Sequence, residues 1–179
     1  MDIARVRIFL VVSICYIIIA GFAFLIWYII RKKKVAFNTI QLYFFTAKDF
    51  QREIAYSLST MFIFTFIIWS ILGNDAVRSY TTWYSDINQH GRVYFWLAFP
   101  IMLLMYNTYF YFTHRLMHYP KFFKFLHVGH HKSINPSPWA AFAFYPSEAV
   151  LEIGILVVFL FTIPILKAHL FFFFLFMMV

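Results

Sequence analysis

Apolar residues occur in this chain in blocks too long for an ordinary core helix. Positions 8–30 carry no charge and end abruptly at Arg31-Lys32-Lys33-Lys34. A helix needs about 20 mostly apolar residues to cross the hydrocarbon layer, so this block predicts a span. It is too long for a signal-peptide core and no small-residue cleavage site follows, so it reads as a retained anchor. Blocks 54–72 and 93–112 predict a second and a third span. Pro100 lies in the third, where a membrane helix accepts it if neighbours satisfy the freed carbonyl. The last block, 150–179, is different: Pro164 and Lys167 leave two stretches, 150–163 and 170–179, each short for a crossing. That pattern predicts a helical hairpin or two partial spans. The fold class expected is therefore all-α, an integral membrane helical bundle of about four transmembrane segments forming one domain over 1–179. The final apolar run reaches Val179 with no polar flank, which reads as a chain cut from a longer protein.

Composition narrows the class. The chain is 63% hydrophobic and 12% charged, against about 25% charged in a soluble domain. Its 26 phenylalanines, in runs such as Phe171–Phe174, would not be tolerated on a wetted surface. Cys15 is the single cysteine. It excludes an intrachain disulfide, a cysteine zinc knuckle and an iron–sulfur cluster held by this chain alone. The net charge of +8 does not point to nucleic acid, because the basic residues flank apolar blocks. Segment 31–53 holds six (Arg31, Lys32, Lys33, Lys34, Lys48, Arg52), 73–92 holds Arg78 and Arg92, and 113–149 holds Arg115, Lys121, Lys124 and Lys132. Alternation of three spans puts the first and third of these on one side, which the positive-inside rule names cytoplasmic. Residues 37–50 mix aromatic and polar side chains and are expected along the interface.

The candidate chemistry lies in 114–131. His114 and His118 stand in His-Arg-Leu-Met-His; His127, His130 and His131 stand in His-Val-Gly-His-His. On a helix, residues four apart are rotated by only about 40°, so His114 pairs with His118 and His127 with His131. His130 points about 100° away from His131. One straight helix cannot aim five imidazoles at one ion; two ion positions between two helices broken near Pro120 fit the spacing. Neutral imidazole is a good ligand for iron, zinc, copper or nickel and costs less than a charged ligand at the membrane boundary. A zinc-protease helix would read His-Glu-x-x-His, but Arg115 stands where that glutamate belongs. Haem ligation needs one or two axial histidines, not five.

At these boxes the sequence resembles the fatty acid hydroxylase/sterol desaturase superfamily of membrane enzymes. The resemblance runs through Asn107-Thr108-Tyr109-Phe110-Tyr111-Phe112-Thr113-His114-Arg115-Leu116-Met117-His118 and the His127 box. It continues into Asn135-Pro136-Ser137-Pro138-Trp139-Ala140-Ala141-Phe142 and Tyr145-Pro146-Ser147-Glu148, with a weaker match at Gln51–Leu58. The Asn-Pro-x-Pro run narrows it toward the sterol desaturase branch. The resemblance implies a two-metal, usually di-iron, site with His114, His118, His127, His130 and His131 as metal ligands; a purified form can carry zinc instead. It also implies O2 as co-substrate, a membrane lipid such as a sterol or fatty acyl chain as substrate, and an external electron donor of cytochrome b5-like or ferredoxin-like type. The setting would be a bacterial inner membrane or the endoplasmic reticulum, with the metal site on the cytoplasmic side. The family's third histidine box has no counterpart here; His169 stands alone between apolar segments.

Asn107 stands where relatives often carry Asp, seven residues before His114, and is read either as orienting an imidazole or as bonding across helices. Glu148 is the nearest acid, with Glu152 one turn on; it either backs a histidine or metal or serves the start of a helix. His90 falls on the opposite side and is excluded as a ligand. The function expected is an oxygen-using lipid hydroxylase or desaturase. The alternatives are a membrane metal-binding or transport protein, which should show polar residues forming a path across the bilayer, and a non-catalytic piece lacking the third box.

Overall fold

A computed structural model describes residues 3–31, 46–133 and 136–177. Among the described residues, three helices are long and apolar enough to cross a membrane. Helix α1 (Ile3–Phe24) continues through a wider turn, Leu25–Ile30, closed by the Arg31 amide on the Ile26 carbonyl at 2.9 Å. Helix α2 is Ala47–Leu72 and α3 is Gly91–Met117. Both overrun the apolar blocks that announced them. Helix α2 starts early because Thr46 and Asp49 cap it reciprocally: the Thr46 amide donates to the Asp49 carboxylate at 3.0 Å and the Asp49 amide to the Thr46 hydroxyl at 3.4 Å. Helix α3 starts at Gly91, whose φ of +78° suits glycine alone, and runs past the apolar block to carry His114. Of the expected interfacial stretch 37–50, residues 37–45 lie outside those described, as does Asn135 of the Asn-Pro run.

Beyond α3 the chain turns back on itself. Tyr119 is extended and Pro120 opens the short helix α4 (Pro120–Leu126), the break expected there because proline suits the first helical position and forces its predecessor out of the helix. A tight turn and a 3-10 turn, His130–Lys132, follow. A second 3-10 turn, Pro138–Phe142, leads to α5 (Pro146–Glu152). The last apolar block is broken as Pro164 dictates, into α6 (Gly154–Thr162) and α7 (Lys167–Phe176). Between them Ile165–Leu166 (β2) pairs in parallel with Trp83–Tyr84 (β1), Trp83 opposite Ile165.

The bundle has two distinct ends. At one, Thr82 holds the carbonyls of Leu160 and Ile163, and Tyr94 donates to the Pro164 carbonyl at 3.1 Å. His169 is buried there, its Nε2 against the Phe95 carbonyl at 2.9 Å. His90 sits beside Tyr84 and Tyr94 at this same end, far from the boxes. At the other end, the close of α1 and the start of α2 meet the loop after the histidine boxes, with Phe24, Tyr28, Phe50 and Trp139 in ring contact. The core between them is aromatic and thioether-rich: Met61, Met102, Phe142, Phe159 and Phe174 are buried together.

A polar stripe on α2 fixes that loop. Glu53, Ser57 and Thr60 recur at helical spacing on one buried face. Ser137 donates to Glu53, Ser57 to the Trp139 carbonyl at 2.9 Å and Thr60 to the Phe144 carbonyl at 3.4 Å. Tyr16 of α1 reaches the same Trp139 carbonyl at 2.6 Å. The carbonyl thus has two donors and keeps one if either is removed. Tyr16→Phe and Ser57→Ala should each cost about 0.5–1.5 kcal/mol. The double variant should exceed their sum by about 1 kcal/mol, because only then is the carbonyl orphaned. Thermal unfolding of the four proteins in one detergent checks this; strict additivity would refute the shared role.

Candidate metal centre

The two histidine boxes converge. His114 lies in the last turn of α3 and His118 is the residue that ends it. Their Nε2 atoms are 3.2 Å apart, close to the ~3.3 Å separating two nitrogens that share one tetrahedral ion at about 2.05 Å. His127 closes α4 and comes back against both, its ring centroid 4.7 Å from each. Ligand atoms of His114, His118 and His127 all lie within 4.8 Å of one another. The second box is not the continuous helix that its spacing suggested: α4 stops at Leu126, and the amides of His130 and His131 turn back onto the His127 carbonyl. The turn still brings the His131 ring to 4.8 Å from His127 and 5.2 Å from His118. His130 stacks on His127 at 5.0 Å. All five imidazoles are gathered, with His127 at the centre.

Burial divides them. His127 is 1% exposed, whereas the side chain of His130 is 48% exposed and His118 and His131 also face outward. The Nδ1–H of His127 donates to Glu148 Oε1 at 2.9 Å, which leaves Nε2 with its lone pair buried and unpartnered. A buried nitrogen without a partner is costly, and here it sits in the triangle with His114 and His118. These residues fit a transition-metal ion on that observation. Burial pushes the His127 imidazole down to about 3, with the positive forms of His130, His114, His118 and His131 adding to the effect. It is therefore neutral at physiological pH, the form a ligand requires. Burial likewise holds the Glu148 carboxyl up, to about 8, opposed by the Tyr145 amide.

Glu148 contacts both the histidines and the start of its own helix. Oε1 takes His127 and lies 3.6 Å from His130 Nδ1, while Oε2 accepts the Tyr145 amide at 3.4 Å and so caps α5. Asn107 is not brought to the histidines. Its amide donates to the Leu103 carbonyl at 2.9 Å and its side chain is exposed. Two helical turns separate it from His114, about 10 Å, beyond the reach of so short a side chain. Glu53 went unrecognised in the sequence. No local pattern announces it, because its partner Ser137 is 84 positions away.

Aromatic rings pack against three of the imidazoles: Phe110 stacks on His114, Phe123 on His118 and Phe144 on His130. Gly129 allows Tyr145 to approach, since a Cβ there would come within 2.7 Å of the Tyr145 ring.

Residues 99–179 match the fatty acid hydroxylase family. The chain is 38% identical over 99 residues to a Delta(7)-sterol 5(6)-desaturase of Gibberella zeae, 54% of this chain and 30% of that one. A probable Delta(7)-sterol 5(6)-desaturase of Neurospora crassa is 31% identical, over 57% of this chain and 28% of the relative. A third, from Leptosphaeria maculans, is 28% identical over 76% of this chain and 36% of the relative. The chain thus spans about a third of the length of the curated relatives it matches. No solved structure matches it. The matched region contains every histidine of the cluster, and over it this chain is similar to the fatty acid hydroxylases and sterol desaturases.

Proposed function

We propose that this chain is the histidine-box portion of an oxygen-dependent membrane lipid oxidoreductase acting on a sterol. The observation that carries the reading is the His114–His118–His127 triangle, with one buried lone pair unspent, beside the end of a helix able to cross the bilayer. In this reading His114, His118 and His127 hold one iron ion; His131 and His130, the latter beside Glu148, hold the second. Bound iron would supply the activation of O2 needed to take hydrogen from an unreactive C–H bond. The chain's own part is to converge five imidazoles, to keep the buried His127 neutral and fix its ring through Glu148, and to pack Phe110, Phe123 and Phe144 against His114, His118 and His130.

A lipid substrate explains the address, since its C–H bonds lie in the bilayer just inside the headgroups. The relatives' names favour loss of two hydrogens from a sterol ring over hydroxylation. The basic flanks of α1 and of the boxes support a cytoplasmic-face cluster, in the endoplasmic reticulum by analogy with fungal relatives, within reach of a soluble or membrane-bound electron donor. Deleting the gene should remove one unsaturated sterol and accumulate its more saturated precursor. The wild-type gene should restore the profile and His130→Ala should not. An unchanged sterol and lipid profile in the deletion strain would overturn the reading.

A further inference from the structure

We infer that α4, together with Tyr119, is a foot that rests in the anionic headgroup layer of the membrane and fixes the depth of the histidine cluster. Helix α3 has 27 residues and is about 40 Å long, some 10 Å longer than the hydrocarbon layer. Its last turns therefore stand at headgroup level, and α4 begins three residues later. The short helix has two unlike sides. Phe123 points inward, in ring contact with His118, His127 and His131. The other side is solvent-accessible and mixed: Phe122 is 43% exposed and Phe125 68%, with Lys121 and Lys124 exposed beside them. Tyr119, 53% exposed, extends the aromatic edge.

Two observations select lipid as the occupant. The first is continuity. Phe112 and Leu116 are exposed on α3, and with Tyr119 they form a stripe at spacings of four and three that runs from the span onto the foot. A surface that meets acyl chains along α3 leads without a break to the aromatics of α4. The second is charge. Among the described residues neither lysine has an ion-pair partner, and ammonium groups beside inserted aromatics are the pattern of an interfacial helix. Ser147 ties the foot to α5, donating to the Phe125 carbonyl at 2.6 Å. Movement of α4 relative to the bilayer would therefore carry both Phe123 and the α5 glutamate with it. The inference does not depend on any metal.

Depth measurement on spin-labelled protein tests it. Cys15 is the sole cysteine, so Cys15→Ala supplies a background for single labels at Lys124→Cys, Phe125→Cys and, to calibrate the acyl region, Phe112→Cys. The whole chain is reconstituted in phosphatidylcholine bilayers with and without phosphatidylserine. Label 125 should relax more with oxygen than with a water-soluble nickel chelate, placing it about 5–10 Å below the headgroup surface, with label 124 shallower. In the phosphatidylserine bilayer, Lys121→Gln should reduce the inserted population of label 125 roughly fivefold. Label 125 as open to nickel as a soluble loop in both bilayers would overturn the inference. So would protection that appears only on adding an acidic soluble protein, which would assign the face to a protein partner.

Discussion

Replacing His127 with Gln is expected to strip the cluster of metal. Of the five imidazoles it alone is buried, and it is near all the others, 4.7 Å from His114 and from His118, 4.8 Å from His131 and 5.0 Å from His130. Loss of a supporting partner behind a ligand lowers metal affinity about 10–100-fold, so loss of this ligand should exceed about 100-fold. Gln keeps an amide able to bond Glu148, which avoids leaving that carboxyl bare in the interior; Ala would confound binding with stability. His131→Gln, on the exposed rim, should retain one ion per chain. Elemental analysis of the purified proteins, loaded with iron or zinc under identical conditions, reads the difference directly. Equal metal content in the His127 variant and wild type would remove the triangle from the site. If the His131 variant also loads nothing, the two halves of the cluster act as one unit rather than as separable positions.

The spans and the histidine pairs could be read in the sequence because both are local patterns. Charge-free blocks report burial in lipid whatever the tertiary fold, and i,i+4 spacing places two rings together on any helix. The limits of the helices were less legible. The start of α2 follows a cap at Thr46, closed by Asp49, that lies eight residues before the apolar block, and the end of α3 is set by Pro120 rather than by hydropathy. The second box shows how a spacing argument can succeed for a different reason. His127 and His131 do come together, but through turns after α4 and not along a helix. Asn107 shows the converse: it shares a helical face with His114 and is simply too far along it. Least visible were contacts between distant segments. The stripe Glu53–Ser57–Thr60 looks in sequence like scattered polarity in a span, and only the fold shows that it receives the loop 137–144. That loop places Phe144 on His130, so a helix with no histidine of its own helps set the position of the cluster.

Glu148 gives the second large expected effect, and its two bonds allow its roles to be separated. As a helix cap it needs only an acceptor for the Tyr145 amide, which Gln supplies nearly as well as Glu. As the group behind His127 it must ionise, which burial opposes in the metal-free protein and a cation at the opposite nitrogen would favour; the charged acceptor then holds Nδ1–H more firmly and makes Nε2 a better donor to metal. Glu148→Gln should therefore leave thermal stability of the metal-free protein close to wild type while lowering metal affinity about tenfold, the lower end for a lost supporting group. Glu148→Ala removes both bonds. The buried His127 Nδ1–H is then orphaned, at a cost of about 1–3 kcal/mol in the metal-free protein, and affinity should fall toward the 100-fold end of that range. Titration with zinc followed by a competing chelator, paired with melting curves, distinguishes the cases. Should Glu148→Gln bind metal as tightly as wild type, while Glu148→Ala loses only stability, the residue is a cap and no more, and the His127 ring is held by its ring contacts with Phe123 and the other histidines.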